Sequence, residues 1–270
     1  VPLSLDALFR AIELNGVEIK NNLRAFAWGR LAAEDLTFVT SVVDGKLDQA
    51  RETLADQVER RRCFLIEYQN EALAARYARL VERVEQAEAG IRGIATRDLT
   101  RAVALSYFKL LAYKDEYEVA RLHANSGLKE RIAENFEGDY KLNFHLAPPL
   151  LSRGVDARGR PRKRAFGPWM MPAFRMLAGL KFLRGTPLDP FGYHEERKME
   201  RALILEYEAL VDRLLERLGE GNLHHAAEIA RLPMEVRGFG PVKAEAADKV
   251  RSEIEQRMRR YEASARAAEA

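Results

Sequence analysis

Apolar positions recur at intervals of three and four through most of the chain, the spacing that lines one side of an α-helix. Leu5, Leu8, Phe9 and Ile12 form the first such stripe, with Ser4 placed to cap it and Asn15-Gly16 supplying a left-handed stop. A second stripe, Ile19, Leu23, Phe26 and Leu31, predicts a helix that ends by Phe38, with Gly29 as its weak point. Asp44-Gly45 opens the longest pattern, in which Leu47, Leu54, Val58, Leu65, Leu73, Tyr77, Leu80 and Val84 predict one long amphipathic helix, straight or kinked. Its Glu/Arg-rich polar face can pair at i,i+4, so it needs a partner on one side only. Gly90 and Gly93 bracket its exit, and the next stripe runs from about Asp98 to His123, closed by Asn125-Ser126-Gly127. A coiled-coil-like hairpin of these two helices is the expected packing.

The period changes to two at "YKLNFHLA". Tyr140, Leu142, Phe144 and Leu146 alternate with Lys141, Asn143 and His145, placing the first set on a buried face and the second toward water or a ligand. Pro148-Pro149 ends this strand, because proline donates no ladder hydrogen bond. A second strand falls in "RKRAFGPW", making "SRGVDARGRPR" the loop of a two-stranded antiparallel ribbon that must lean on helices. Phe166 and Trp169 are read as core, since "GPWMMPAF" opens a buried helix from about Pro172 to Phe182. A strong helix follows from His194 to Leu218, then a short one capped by Asn222 and stopped by Pro233, then a terminal helix carrying Val250, Ile254 and Met258. The final "EASARAAEA" is expected to fray. The fold class is mainly α: a helical domain with a long helical hairpin and a small two-stranded antiparallel ribbon.

Composition narrows the setting. A 270-residue chain with 47% hydrophobic residues can bury a sizeable core. Its 44 basic and 41 acidic residues leave a net charge of +3, which points to neither nucleic acid nor an acidic partner. Lone Cys63 can form no internal disulfide, and the absence of any Cys-x-x-Cys pair suits a reducing cytoplasm. No apolar run approaches the ~20 residues that span a bilayer, and no signal-peptide order is present. The first residue is Val1 and patterned sequence begins at once, so a piece of a longer chain is expected.

Candidate chemistry is sparse. His224 and His225 are neighbours about 100° apart on a helix and cannot jointly clamp one metal; His225 with Glu228 gives two ligands where a site needs three or four. Arg153, Arg158, Arg160, Arg162, Lys163 and Arg164, with Gly154 and Gly159, form a basic turn able to meet phosphates or an acidic subunit face. His145 lies on the polar face of the adjoining strand. "YKDEYEVARL" interleaves acids with Lys114 and Arg121, and an ion-pair network fixing helix contacts is its expected role.

Several stretches resemble a known family. "AIELNGVEIKNNLRAFAWGR" (residues 11–30) resembles the end of the gamma-type catalytic domain of the bacterial indolepyruvate ferredoxin oxidoreductases, a fused 2-oxoacid:ferredoxin oxidoreductase family. "LAYKDEYEVARL", "FEGDYKLNFHLAPPLL", "RKRAFGPWMMPAFRMLAGLKFLRGTPLDPFGY", "ERALILEYEAL" and "VRGFGPVK" resemble, in family order, the domain of unknown function that follows it. The resemblance implies a parent enzyme using thiamine diphosphate, Mg, iron-sulfur clusters and coenzyme A, with ferredoxin as electron acceptor. The family's cluster cysteines and diphosphate motif have no counterpart here, so no catalytic residue and no metal ligand carries over. Residues 1–40 are expected to finish the preceding domain and 41–270 to form the helical C-terminal domain, inactive in isolation, binding no cofactor itself and joining other domains or subunits of an oligomer. The alternative is that Arg160, Arg162, Lys163, Arg164 and His145 contribute to binding the phosphates of coenzyme A.

Overall fold

The computed structural model describes residues 3–42, 52–91, 96–125, 141–146 and 164–269, with positions 93, 127, 132, 134, 135 and 138 between them. The chain divides into two compact units, Val1–Thr53 and Leu54–Ala270.

In the first unit, α1 (Leu5–Asn15) begins where Ser4 accepts the Ala7 amide and ends at Gly16, whose φ of 70° supplies the left-handed cap that the Asn-Gly pair predicts. Helix α2 (Ile19–Glu34) runs through Gly29 without interruption. Asp35 stops it and starts a further helical stretch at residues 36–42 by accepting the Phe38 amide at 2.8 Å. Phe9 meets Phe26 edge-on at 5.8 Å, yet neither helix fully buries a side chain.

The second unit is mainly helical with one two-stranded antiparallel ribbon, as the periodicities predict. The single long helix expected from Leu47 to Val84 is divided in its described part. Helix α3 (Leu54–Tyr68) gives way to α4 (Glu71–Ala89) at Asn70, whose extended backbone and side-chain oxygen, accepting the Leu73 amide, make a helix start. The same happens inside Asp98–His123, which splits into α5 (Asp98–Leu111) and α6 (Glu116–Ala124) with Asp115 as the cap. Both breaks are made by short polar side chains that hold backbone amides, so no Gly or Pro announces them.

Helix α5 packs against α4, as the expected hairpin requires, and is covered by further elements besides. Ala102, Val103, Ala104, Ser106, Tyr107 and Leu111 are each 0–1% exposed, which takes neighbours on more than one side. Those neighbours are α3 and α4, α8 (Glu195–Leu215), α9 (Leu223–Arg231) and the 3-10 turn Leu232–Glu235. Ala226, Ala227 and Ala230 on α9 present small side chains, which lets α5 and α9 approach closely along their length. Tyr77, Tyr107 and Tyr207 stack in sequence at 6.1 and 6.0 Å, and the Tyr77 and Tyr207 hydroxyls donate to the Ala104 and Ala230 carbonyls.

Enclosure leaves the N-terminal amides of α5 out of reach of water, and Arg97 at its cap position gives no side-chain bond. Glu88, wholly buried at the end of α4, replaces it. Its two oxygens accept the amides of Leu99 and Thr100 at 3.0 and 2.9 Å and the Thr100 hydroxyl at 2.5 Å. The positive end of the α5 dipole balances the buried carboxylate. Near the other end, Lys109 donates to the carbonyls of Pro233, Met234 and Val236 at 2.8–3.1 Å.

The ribbon, β1 (Phe144–Leu146) and β2 (Arg164–Phe166), pairs antiparallel with Phe144 opposite Phe166. Its buried side sits on α7 (Met170–Gly179) and α6, where Phe144, Phe174, Met171 and Ala120 form a small second core. The alternation expected of "YKLNFHLA" holds over residues 141–146: Phe144 is buried, and Lys141, Asn143 and His145 are exposed. Asn222 takes the cap position of α9 but its side chain turns backward, accepting from Gly219 and donating to Arg217. Helix α10 (Pro241–Glu269) continues through the tail expected to fray. No helix among the described residues is long and apolar enough to cross a membrane.

Replacing Glu88 by Ala strands three buried donors. We expect a loss of roughly 2–3 kcal/mol in urea unfolding, with Glu88→Gln losing about half as much. A Glu88→Ala protein as stable as the parent would show that α5 needs no such cap.

Candidate functional site

Most of the ionisable groups that the fold buries converge around the α5–α6 corner. Asp115 caps α6 by accepting the Glu118 amide at 2.8 Å. Its carboxylate also receives a two-bond fork from Arg184, Nε to Oδ2 at 2.5 Å and Nη2 to Oδ1 at 2.9 Å, with both side chains 3% exposed. Arg184 follows the 3-10 turn Leu180–Leu183, donates through Nη1 to the Tyr68 carbonyl at 2.6 Å, and lies 3.7 Å over the Tyr68 ring. The Tyr68 hydroxyl in turn donates to the Tyr113 carbonyl at 2.8 Å. One guanidinium therefore ties the end of α3, the α5–α6 corner and the segment leaving α7. Burial works against its charge, but Asp115 outweighs that and holds the Arg184 pKa above its ordinary value.

Further pairs extend the clamp. Tyr117 donates to Asp189 at 3.0 Å, and Asp189 also accepts the amides of Gly185 and Phe191, which fixes the turn-rich "RGTPLDPFGY". Gly192 is required there, because a Cβ at that position would lie 2.9 Å from the Asp189 carboxylate. Glu118 and Arg121 make a second fork at 2.8 Å for both bonds, with the Arg121 guanidinium 5.1 Å from the Phe64 ring. Arg197 on α8 donates to the Lys114 carbonyl and lies 3.4–3.9 Å from Glu116, Glu196 and Glu200. Glu200 pairs with Lys243 of α10 at 2.6 Å. Burial pushes the Glu116 carboxyl up, and its Oε2 accepts no hydrogen bond.

Several crevices open on the described surface. One of about 600 Å³ is lined by Arg76, Arg79, Arg83, Tyr107, Glu208 and Asp212. Its groups largely neutralise one another: Arg76 forks onto Glu208 at 2.7 and 2.8 Å, Tyr107 donates to the same carboxylate, and Arg83 pairs with Asp212. Burial raises the Glu208 pKa, but the bonds from Arg76 and Tyr107 win and hold it below the ordinary carboxylate range. A second crevice of about 430 Å³ between α8 and α10 is lined by Leu203, Leu210, Val236, Val250 and Ile254. The Arg251–Glu206 fork belongs to its lining.

Of the expected ligand contacts, His145 and Arg164 are among the described residues. Arg160, Arg162 and Lys163, with Arg153 and Arg158, lie outside the described residues. His145 pairs with Ala165 and Leu146 with Arg164, so strand alternation puts His145 and Arg164 on opposite faces of the ribbon. The two are not brought together. His224 and His225 are exposed and share Glu228 at 3.4 and 3.6 Å. Among the described residues no cluster of three or more His, Cys, Asp or Glu side chains is arranged to hold a metal. Trp169, expected in the core, is 61% exposed because Met171 and Phe174 occupy the buried side of α7.

The ion-pair role expected of "YKDEYEVARL" is what the structure shows, but sequence reading missed Arg184, Asp189 and Glu88. The Asp115-x-x-Glu118 spacing was the available signal for the helix start. Nothing local marks Arg184, whose partner is 69 residues away.

A family model described as a family of unknown function (DUF6537) matches residues 54–256, beginning where the second unit begins. No curated protein and no solved structure matches the chain.

Removing one partner of the Asp115–Arg184 pair leaves a buried uncompensated charge. Arg184→Met and Asp115→Leu should each cost roughly 3–5 kcal/mol, and the double variant less than their sum. Strict additivity in a double-mutant cycle would show that the pair is not coupled. Because the Glu208 carboxyl is depressed, its contribution is present above the unfolded-state pKa near 4.5 and lost as pH falls below it. Thermal unfolding from pH 7 to 3 should therefore show a shallower acid loss for Glu208→Gln; parallel curves would contradict this.

Proposed function

This chain belongs to the DUF6537 family, and on that premise we propose that it is the structural and docking portion of a 2-oxoacid ferredoxin oxidoreductase of the indolepyruvate type. In this reading the thiamine diphosphate and electron-transfer chemistry takes place on neighbouring polypeptide. The sequence resemblances in family order support it, and one structural observation carries the docking role. Helices α1 and α2 fully bury no side chain, while Leu14, Val17 and Trp28 are 73, 61 and 45% exposed. The apolar stripes of the two helices are only half-buried, and Leu14 and Trp28 stand on the sides away from those stripes, so this pair offers apolar surface on which a further polypeptide can pack.

The iron-sulfur clusters of such an enzyme do not fit these residues. A [4Fe–4S] cluster takes four thiolates and the chain has one cysteine, Cys63, which donates to Glu59 at 3.4 Å. The buried acids around Asp115 are mostly committed to cations, amides and hydroxyls, which is a clamp's use of charge.

Purified alone, the chain should neither bind thiamine diphosphate in calorimetry nor oxidise indolepyruvate with a dye acceptor. It should co-elute with the catalytic domains of such an oxidoreductase supplied separately, and Leu14→Glu with Trp28→Glu should abolish that. Either activity in a clean preparation, or co-elution indifferent to both substitutions, would remove the reading.

A further inference from the structure

The exposed side of α7 carries large apolar side chains in one line. Positions 169 and 176 are seven residues apart, two helical turns, so Trp169 and Met176 lie on one line with Pro172 between them. They stand opposite Met171 and Phe174, which fix the helix to Phe144 and His123; the His123 ring stacks on Phe174 at 4.7 Å. Trp169 and Met176 are 61 and 67% exposed, and Phe182 in the following 3-10 turn is 60% exposed. Phe166 meets Trp169 edge-on at 6.0 Å, so one side of the indole is held while much of it stays open to solvent. A rigid exposed aromatic beside methionine is the composition of an interface centre.

The segments that build this stripe carry charge of one sign, with Glu67 of α3 standing beside Lys181 at its far end. Residues 141–146 and 164–184 contain Lys141, Arg164, Arg175, Lys181 and Arg184 and not one Asp or Glu. Arg184 is committed to Asp115, and Lys181 to the carbonyls of Ile66 and Glu67. Lys141, Arg164 and Arg175 are exposed and form no ion pair among the described residues. Elsewhere exposed cations are often matched on their own helix, as in Arg62–Glu59, Lys198–Glu195, Lys249–Glu245 and Arg257–Glu253. An apolar stripe rimmed by unmatched cations complements an apolar patch rimmed by carboxylates.

We propose that the Trp169–Met176 face of α7, with Arg164 and Arg175 at its rim, is a docking surface for an acidic protein face. The proposal rests on the docking reading only in taking this portion to work against another polypeptide; it concerns a different unit from α1 and α2. Protein fits better than nucleic acid because phosphates would meet the arginines but set a charged backbone against Met176 and Phe182. A phosphate-bearing membrane and a second copy of this chain are the other occupants to be tested.

Trp28→Phe leaves Trp169 as the sole tryptophan, a fluorescent reporter inside the face. Titrating that protein with a synthetic peptide of Glu, Asp, Leu and Phe should shift its emission to the blue. The apparent affinity should fall about tenfold between low salt and ~0.3 M. Arg164→Glu with Arg175→Glu, or Met176→Glu alone, should weaken it at least roughly tenfold while leaving the circular dichroism unchanged. No shift at ~1 mM peptide would overturn the proposal, 1 mM being the weakest affinity of interest. So would equal or tighter binding of oligouridylate or phosphatidylserine vesicles, or self-association in sedimentation that Met176→Glu abolishes. Each of these results leaves the co-elution test of α1 and α2 standing.

Discussion

A helix buried over most of its circumference leaves its first amides without water, and that constraint organises the second unit. Helix α5 is so enclosed, with Ala102, Val103, Ala104 and Tyr107 all at 0% exposure. Its first amides find Glu88, and Lys109 near its last turn reaches three carbonyls beyond α9. The neighbours that supply these groups are therefore held at fixed distances by the polar requirements of one helix as well as by its apolar surface. The stacked tyrosines follow the same logic, since each of the Tyr77 and Tyr207 rings fills core volume and ends in a hydroxyl that meets a backbone carbonyl.

The ribbon and α7 are attached to this bundle by charge. Their own core is four residues, Ala120, Phe144, Met171 and Phe174, too few to fix an orientation alone. The Asp115–Arg184 fork and the Tyr117–Asp189 bond supply directional contacts between α6 and the segment leaving α7. A buried ion pair adds little net stability over an apolar substitute, but it penalises every arrangement in which the charges separate. That property suits a module whose exposed side must be presented in one attitude to a neighbour.

Division of surface between the two units has the same sense. Helices α1 and α2 leave apolar side chains bare, and α7 leaves an aromatic and a methionine bare beside unmatched cations. Within the second unit, the exposed faces of α3, α4, α8 and α10 carry opposite charges paired within and across helices, the pattern of a surface meant for water. In the proposed docking reading these bare faces carry the function, while the buried acids and bases act on the fold.

The sequence by itself determined the elements. Periods of 3.6 and 2 located most of the described helices and both strands, and Ser4, Gly16 and the alternation through Phe144 behaved as local chemistry requires, because each of those signals acts within a few residues. Asn70 and Asp115 were legible in principle as caps but are masked by the continuing apolar stripe around them. Only the tertiary structure decided that α5 is enclosed, that Glu88 serves another helix, that Arg184 finds Asp115, and that Trp169 faces outward. Periodicity tells which side of a helix is apolar but not how many partners will cover it. Hydrogen-bond partners separated by tens of residues leave no trace in local spacing, since the chain between them sets no rule for their meeting.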